Sequence, residues 1–322
     1  MRRPVMALLA ATALVLAACG GDDSGTGAGG APAVDDTTTT TAAAATPAPD
    51  CGDPVASYEP TFTLPTPGEM PEGTYMKQIQ DRGRLVVGTA ADVLQFGFRD
   101  PITGQIQGFD VDVVHAIAEA IFGDPNAVDY KVINYAQRIP SILDGSVDIV
   151  AHTMTINCAR WQQIAFSTEY YHAGQTLLVG LNSEATGIES LVGTDQKVCV
   201  AKGSTNLEEL EKNYPTIERV EVDDLTDCLV LFQQSAVDAI TGDNTVMAGF
   251  EAQDPFAKQV GDKFTDEPYG LGISQEHPEF VEFVNLVLEQ MREDGSLLRL
   301  QQEWIGDDTP PPPAVYGREP AG

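Results

Sequence analysis

The sequence predicts an α/β fold of two lobes, each a mixed, mainly parallel sheet with helices on both faces. Strand-like apolar runs alternate with helix-like segments from RLVVGTA onwards, an order that is typical of such sheets. The same alternation restarts at KVCVAK, after the segment STEYYHAGQTLLVG. Between two low-complexity ends the body is about 250 residues long, which is enough for two separate cores.

The first series of elements supplies lobe 1. Strand RLVVGTA leads to helix GFDVDVVHAIAEAIFG, whose apolar residues recur at spacings of three and four. Strand VDYKVINY, the short helix RIPSILDGS, strand VDIVAHTM and helix NCARWQQIAF come next. Near the C-terminus one unbroken helix is expected over PEFVEFVNLVLEQMREDGSLLRLQQEWIG. Its apolar stripe should pack on lobe 1 and consists of Phe280, Phe283, Val284, Val287 and Leu288.

The second series supplies lobe 2. Its predicted strands and helices are, in order, KVCVAK, STNLEELEKNY, TIERVEVD, LTDCLVLFQQSA, VDAITGD and TVMAGFEAQ. Two strands near Gln175–Gly180 and Phe264–Ile273 are expected to cross between the lobes. Ligands of open α/β sheets bind at the carboxyl ends of the strands, so the cleft between the lobes is the expected site.

The N-terminus predicts export. MRRPVMALLAATALVLAAC has two arginines and then an apolar run that is short for a transmembrane helix. Its end, Leu16-Ala17-Ala18-Cys19, resembles the lipobox of bacterial lipoproteins, which implies cleavage before Cys19 and lipidation of that cysteine. An ordinary secretory signal that ends at a chance cysteine is the alternative. We therefore expect a lipid-anchored protein on the extracytoplasmic face of the cell membrane.

Composition divides the rest of the chain. Residues 20–50 are rich in Gly, Ala, Thr and Asp and cannot bury enough apolar surface to fold. The expected organisation is signal peptide 1–18, lipidated Cys19 and flexible tether 19–50, lobe 1 in 51–178 and 268–307, lobe 2 in 179–267, and a Pro-rich tail 308–322.

Charge and residue content exclude several classes of function. The formal net charge is −30, whereas binding of nucleic acid or of anionic lipid requires a basic face. No CxxC or HxxxH spacing occurs, and the four histidines (His115, His152, His172 and His277) are scattered, so we expect neither a metal nor a cofactor. No Ser/His/Asp or Cys/His constellation indicates an enzyme.

The cysteines favour disulfides. Apart from Cys19 the chain contains Cys51, Cys158, Cys199 and Cys228, an even number in an exported protein, which allows three connectivities. Cys199 lies in a predicted strand and Cys228 in the next helix but one, so both belong to one lobe. If they pair, Cys51 pairs with Cys158.

One turn has the chemistry of an anion receptor. After the apolar run SVDIV come Thr153, Thr155 and Asn157, which favour turns and helix caps, and then a predicted helix with Arg160 in its first turn. Backbone N–H groups at a helix start and a guanidinium fork both bind carboxylates. The turn therefore predicts an anionic ligand in a protein whose surface is acidic.

Three motifs together resemble the family-3 solute-binding proteins, the polar amino-acid receptors of ABC importers. They are GFDVDVVHAIAEAI, TMTINCAR and VDAITGD, and the resemblance runs from about Gly83 to Gly306. With the lipobox and the four cysteines, the chain is most similar to the actinobacterial glutamine/glutamate-binding lipoproteins of that family. The resemblance implies the type II periplasmic-binding-protein clam, an amino-acid ligand, an ABC permease as partner, and a monomer.

The resemblance also implies a set of ligand-binding residues. Arg160 and Thr155 would bind the α-carboxylate, with Ser204 and Thr205 closing over it, while the Thr153 carbonyl and Asp243 would accept the α-ammonium. Tyr135 falls near an aromatic lid position of the family. Asp92 is the aspartate nearest to one that many relatives place after the first strand, and Phe96 follows it.

Two further cations predict the ligand class. The resemblance implies that Arg138 and Lys202 stand where the family binds the side-chain end of the ligand. A side-chain carboxylate would pair with them, whereas an amide would leave a buried charge unpaired. Glutamate and aspartate are therefore expected to bind more tightly than glutamine and asparagine. A lipoprotein that signals amino-acid supply to a membrane receptor is the alternative to transport.

Overall fold

The structure is a computed structural model that describes residues 51–320. The predicted signal peptide, the lipidated Cys19 and the tether 19–50 lie outside the described residues. No helix within 51–320 is long and apolar enough to cross a membrane.

The elements are numbered in chain order. The strands are β1 Ser57–Tyr58, β2 Leu85–Thr89, β3 Asp92–Val93, β4 Gly97–Arg99, β5 Ile106–Gln107, β6 Val128–Val132, β7 Ile149–Val150, β8 Ala165–Phe166, β9 Tyr171–Ala173, β10 Gln175–Gly180, β11 Lys197–Ala201, β12 Glu218–Val222, β13 Ala239–Asp243, β14 Ala257–Val260, β15 Glu267–Tyr269, β16 Gly272–Ile273 and β17 Tyr316–Arg318. The helices are α1 Tyr75–Arg82, α2 Phe109–Phe122, α3 Arg138–Leu143, α4 Cys158–Trp161, α5 Thr205–Asn213, α6 Leu225–Gln233, α7 Asn244–Gln253, α8 Pro278–Glu293 and α9 Ser296–Ile305, with 3-10 turns at Tyr135–Gln137 and Ile188–Leu191.

Two five-stranded sheets define the lobes. The sheet of lobe 1 has the order β6-β2-β7-β16-β8, and the sheet of lobe 2 has the order β12-β11-β13-β10-β14. In each sheet three neighbouring strands are parallel and the other pairings are antiparallel. This arrangement confirms the predicted two-lobed α/β fold, although the exact lobe boundaries stay a prediction.

The crossing strands differ from the expectation at one end. β15 lies inside the predicted 264–273 segment, but its antiparallel partner is β9, Tyr171–Ala173, rather than Gln175–Gly180. The latter segment is β10, which pairs with β13 and β14 inside lobe 2. Gly174 separates the two strands, and its backbone runs so close to Thr265 that a Cβ would lie 2.6 Å from the Thr265 carbonyl oxygen.

The predicted C-terminal helix is wrong as a single element. It breaks into α8 and α9 at Gly295, whose φ of 73° lies in the left-handed region, where glycine is favoured. The Asp294 carboxylate accepts a hydrogen bond from the Ser296 N–H at 2.7 Å and so caps the restart. The apolar stripe of α8 is buried as predicted.

The Pro-rich segment is docked rather than loose. β17 pairs in parallel with β1, and the Arg292 Nε donates to the Pro312 carbonyl at 2.9 Å. The prediction of a tail over 308–322 is therefore wrong for the part up to residue 320, because backbone pairing and an arginine hold it to lobe 1.

Both predicted disulfides are confirmed. Cys51 is bonded to Cys158 and Cys199 to Cys228, with sequence separations of 107 and 29 residues. The first ties the start of the described chain to α4, and the second joins β11 to α6 inside lobe 2.

Candidate functional site

Arg160 projects from the one-turn helix α4. The Asn157 side chain caps this helix by accepting from the Arg160 N–H at 2.9 Å. The guanidinium is buried and donates to the Thr155 carbonyl at 2.7 Å and, across the cleft, to the Gly203 carbonyl at 3.4 Å. Burial lowers the pKa of Arg160, which favours any arrangement that brings an anion to it.

Arg138 lies beside Arg160 and is equally buried. Its guanidinium donates at 3.1 Å to the carbonyls of Tyr135, His152, Thr153 and Gly203, which uses four of its five N–H groups. Burial, and next the charge of Arg160, lower the pKa of Arg138 to about 9. The two like charges share one low-dielectric region and so attract an anion strongly.

The Thr153 turn is strained and held in place. Thr153 has a φ of 39°, which is unusual for a β-branched residue and is found mainly at functional sites. Its N–H donates to the Asp110 carboxylate at 2.8 Å, and the Tyr170 hydroxyl donates to the other oxygen at 2.6 Å. Asp110, in the GFD motif at the start of α2, therefore shapes the turn that the two arginines use.

Lobe 2 contributes the start of α5. Ser204 caps this helix, its hydroxyl accepting from the Leu207 N–H at 3.1 Å and donating to the Ala201 carbonyl at 2.7 Å. Before it, Gly203 has a φ of 73°, and a Cβ there would stand 2.6 Å from the Ala136 Cα of lobe 1. The Thr205 hydroxyl lies 3.3 Å from that of Thr155. The two lobes are thus in direct contact, in a closed form.

Asp243 ends β13 and faces the arginines from lobe 2. Its two oxygens accept from the Asn206 side-chain amide at 2.8 Å and from the Tyr269 hydroxyl at 2.6 Å. Although Asp243 is the N-cap residue of α7, its side chain makes no capping hydrogen bond. Burial, and next the charge of Glu267, raise the pKa of Asp243 to about 7. Beside it in the register of β10 and β13, Gln175 has a buried Oε1 without a partner.

Glu267 is a site residue that the sequence did not predict. It lies on the crossing strand β15, 2% exposed, and one of its oxygens accepts from the hydroxyls of Thr155 at 2.6 Å and Thr205 at 2.7 Å. The other accepts from the Thr265 hydroxyl at 2.7 Å. A carboxylate of the hinge therefore joins a hydroxyl of lobe 1 to one of lobe 2, and a cavity of about 250 Å³ opens beside them.

Tyr135 packs on the cationic half of the site. The Arg138 guanidinium lies 4.7 Å from the centre of its ring, within the range of a cation–π contact. The ring is buried, and burial raises its pKa. Tyr135 therefore lies beside Arg138, and its role as an aromatic lid stays a prediction.

Within residues 51–320, no hydrogen bond or ion pair joins Lys202, Asp92 or Phe96 to Arg138, Arg160 or Asp243. The Lys202 ammonium pairs with Asp223 at 3.0 Å, and its side chain is 46% exposed. Its backbone N–H donates to the carbonyl of Val222, the last residue of the edge strand β12, at 2.9 Å. This places the side chain beside Asp223, the next residue along the chain. The Asp92 carboxylate instead accepts from the Thr226 hydroxyl of lobe 2 at 2.5 Å, and Phe96 is a fully buried core ring.

The remaining predicted residues converge on a site with separated charges. Within residues 51–320, every hydrogen bond from the two guanidiniums ends on a backbone carbonyl, and Asp243 accepts only from neutral groups. Two cations of lobe 1 thus face Asp243 of lobe 2, and the charges of Glu208 and Glu267 also act on Arg160, yet no salt bridge within residues 51–320 pairs either guanidinium. Such an arrangement is chemically complementary to a small molecule that carries both charges.

Comparison with known proteins identifies the family. The sequence profile of the bacterial extracellular solute-binding proteins, family 3, matches residues 85–307. The chain belongs to this family. Its members are extracellular solute-binding proteins, among them receptors of ABC transporters, and the described lobes are those of a type II periplasmic binding protein.

Individual relatives are amino-acid receptors. The ABC transporter glutamine-binding protein GlnH of Bacillus subtilis is 32% identical over 230 residues, which cover 71% of this chain and 84% of that protein. The glutamate-binding protein GluB of Corynebacterium glutamicum is 30% identical over 259 residues, 77% of this chain and 87% of that protein. A solved ancestral arginine-binding protein bound to glutamine is 33% identical, with a TM-score of 0.65 over 70% of this chain and 99% of that chain.

Proposed function

We propose that this protein binds a polar amino acid of the glutamate and glutamine class between its lobes and delivers it to an ABC importer. The observation that carries the proposal is the charge arrangement of the cleft, in which Arg138 and Arg160 face Asp243 without salt bridges between them. An α-amino acid carries a carboxylate and an ammonium on neighbouring atoms and would pair both half-sites at once.

Each residue then has a role. The α-carboxylate binds Arg160 and the N–H groups at the start of α5, while the α-ammonium binds Asp243 and the Gln175 Oε1. The side chain of the ligand extends towards Arg138 under the Tyr135 ring. With Lys202 directed at Asp223, the preference for glutamate and aspartate over glutamine and asparagine rests on Arg138 alone.

Isothermal titration of the exported domain against the twenty amino acids tests the proposal. Glutamate and aspartate should bind most tightly, glutamine and asparagine more weakly, and bulky apolar amino acids hardly at all. Since closure requires both half-sites, small-angle scattering should show a smaller radius of gyration at saturation than in the ligand-free protein. Failure of every amino acid to bind would refute the proposal.

The proposed setting is the outer face of the membrane, with the protein monomeric and anchored through Cys19. Mass spectrometry of the membrane fraction should detect a lipidated N-terminal Cys19, and Cys19→Ala should release the protein. A signalling role is the second candidate, because a membrane receptor would also read the closed shape. A neighbouring gene for a permease, as against a lone membrane receptor, distinguishes the two.

A further inference from the structure

The helix that carries Arg160 cannot hold its own conformation. α4 spans four residues, Cys158–Trp161, and isolated helices shorter than about 12 residues are not stable in water. The direction of the Arg160 side chain therefore depends on what packs against α4 from outside the cleft.

Trp161, the last residue of α4, is held by both ends of the described chain. Its indole Nε1 donates to the Pro54 carbonyl at 2.8 Å, and the Tyr58 ring lies 5.8 Å from its own. On the C-terminal side the Arg318 guanidinium lies 4.1 Å from the indole centre. A cation over an indole face is among the stronger contacts of this kind.

Arg318 also orders the segment that leads to the other end of α4. From β17 it donates to the carbonyls of Ala56 at 2.9 Å, Asp53 at 3.0 Å and Cys51 at 3.2 Å. Cys51 is in turn disulfide-bonded to Cys158, the first residue of α4. One guanidinium thus contacts the last residue of α4 directly and its first residue through the disulfide.

We propose that Arg318 is a positioning residue for Arg160. The segments Cys51–Tyr58 and Tyr316–Arg318, here called the terminal clamp, fix α4 so that the Arg160 guanidinium meets the ligand carboxylate. Both segments lie outside residues 85–307, which match the family. The proposal rests on the function proposed above, in which Arg160 binds the α-carboxylate.

A double-mutant cycle read by isothermal titration with glutamate tests the proposal. Arg318→Ala should weaken binding about tenfold, because residues coupled through one contact network or a shared backbone shift commonly interact at that level. In an Arg160→Ala background the same substitution should change affinity less than about twofold, because the residue it positions is gone. A purely structural role of Arg318 would instead lower affinity equally in both backgrounds.

Tyr316→Phe is the matched control. Tyr316 lies on the same strand as Arg318, and its hydroxyl donates to Glu289 of α8 at 2.7 Å. The substitution removes this hydrogen bond but leaves the contact between Arg318 and Trp161. Both variants should lower the melting temperature slightly, yet Tyr316→Phe should keep the wild-type affinity. Equal affinity losses in Tyr316→Phe and Arg318→Ala would overturn the proposal.

Two results separate failure of this inference from failure of the proposed function. If Arg160→Ala binds glutamate as wild type does, the proposed carboxylate site is wrong. If Arg160→Ala weakens binding strongly but Arg318→Ala stays within twofold of wild type, only the clamp is wrong. Should Arg318→Ala not fold, Arg318→Lys keeps the cation without the fork to three carbonyls, and a loss of about threefold is then expected; no loss would overturn the inference.

Discussion

The two half-sites of the cleft are built in opposite ways. In lobe 2, Asp243 ends a five-residue strand that runs directly into a ten-residue helix, and its partners are side chains. In lobe 1, Arg160 stands on a four-residue helix after a two-residue strand, and its partners are backbone carbonyls. Regular secondary structure positions the anion, whereas the helix of the cation is packed against the terminal clamp, Cys51–Tyr58 and Tyr316–Arg318. The lobe 1 half-site should therefore be the more sensitive of the two to distant changes.

Replacing Arg160 should have the largest effect on binding. Arg160→Ala leaves the ligand carboxylate buried without its charged partner, and a loss of about 2–5 kcal/mol in binding free energy is expected. Isothermal titration measures this loss. Asn157→Ala, which removes only the cap of α4, is the control: it should lower the free energy of unfolding by about 1 kcal/mol and weaken binding less than Arg160→Ala does. Affinity within a few-fold of wild type for Arg160→Ala would mean that the carboxylate binds elsewhere.

Breaking each disulfide separately should sharpen the contrast between the lobes. Replacing either pair by alanines should lower the free energy of unfolding by about 2–4 kcal/mol, because each closes a long loop. Loss of Cys51–Cys158 should also weaken ligand binding, whereas loss of Cys199–Cys228 should leave affinity unchanged in the folded fraction. Chemical denaturation and titration on the same samples measure the two quantities, and equal affinity changes would contradict the contrast.

The anionic half-site should make binding depend on pH. Asp243 must be ionised to accept an ammonium, and its pKa is raised to about 7 from 3.8. Below pH 7 a proton must therefore leave on binding, so affinity should fall by up to about tenfold, or about 1.4 kcal/mol, per pH unit. Calorimetry in buffers of different ionisation enthalpy should detect proton release near about pH 6 and little near about pH 8.5.

The stability of the ligand-free protein should depend on pH in the opposite direction from ligand affinity. Because the folded-state pKa of Asp243 is raised, the ligand-free fold binds more protons than the unfolded chain between the two pKa values. The contribution of this group to stability is therefore complete at acid pH and is lost as the pH rises through about 7. Asp243→Asn should remove that slope from the denaturation profile, and an unchanged slope would exclude Asp243 as its source.

Selectivity should respond to Arg138. Arg138→Met removes the charge near the side chain of the ligand, and the preference for glutamate over glutamine should fall by about 1–2 kcal/mol. Competition titrations with both amino acids measure the ratio. Since the substitution also removes four hydrogen bonds to carbonyls, a drop in melting temperature is expected as well. An unchanged ratio would show that the ligand side chain lies elsewhere.

The smallest effect is expected at the other cation. Lys202 is paired at the surface with Asp223, and exposed ion pairs contribute about 0–1 kcal/mol to stability. Lys202→Ala should leave the affinity for glutamate within about twofold of wild type. A large loss, measured beside Arg138→Met, would mean that Lys202 turns inward when ligand binds.

Local patterns predicted much of this molecule. Apolar runs located the strand before Arg160 and the strand that ends at Asp243, because each strand reports its own burial within a few residues. Cap residues located the start of α4, but the helix predicted over NCARWQQIAF ends at Trp161 and a strand, β8, follows at Ala165–Phe166. Apolar periodicity hid the break at Gly295, since the apolar stripe continues beyond it. The proline run at 310–313 indicated a tail, but the contacts that dock it come from Arg292 and Ala56, far away in the chain.

Convergence between distant segments could not be predicted in the same way. Glu267 accepts from Thr155, 112 residues earlier, and from Thr205, 62 residues earlier, and nothing around it in TDEPYG marks a site residue. Lys202 follows β11 directly, but the direction of its side chain depends on where β12 places Asp223. Side-chain direction is decided by packing between elements, which short sequence windows do not contain.

Gly203 limits how far the two lobes can turn towards each other. The space that a side chain would fill there is already occupied by the Ala136 backbone. Any larger residue at this position would hold the two lobes apart. The cleft would stay partly open, and amino acids could still reach each half-site. A Cβ at position 203 would thus be enough to prevent full closure around a bound ligand, so that the ligand would bind to one lobe at a time.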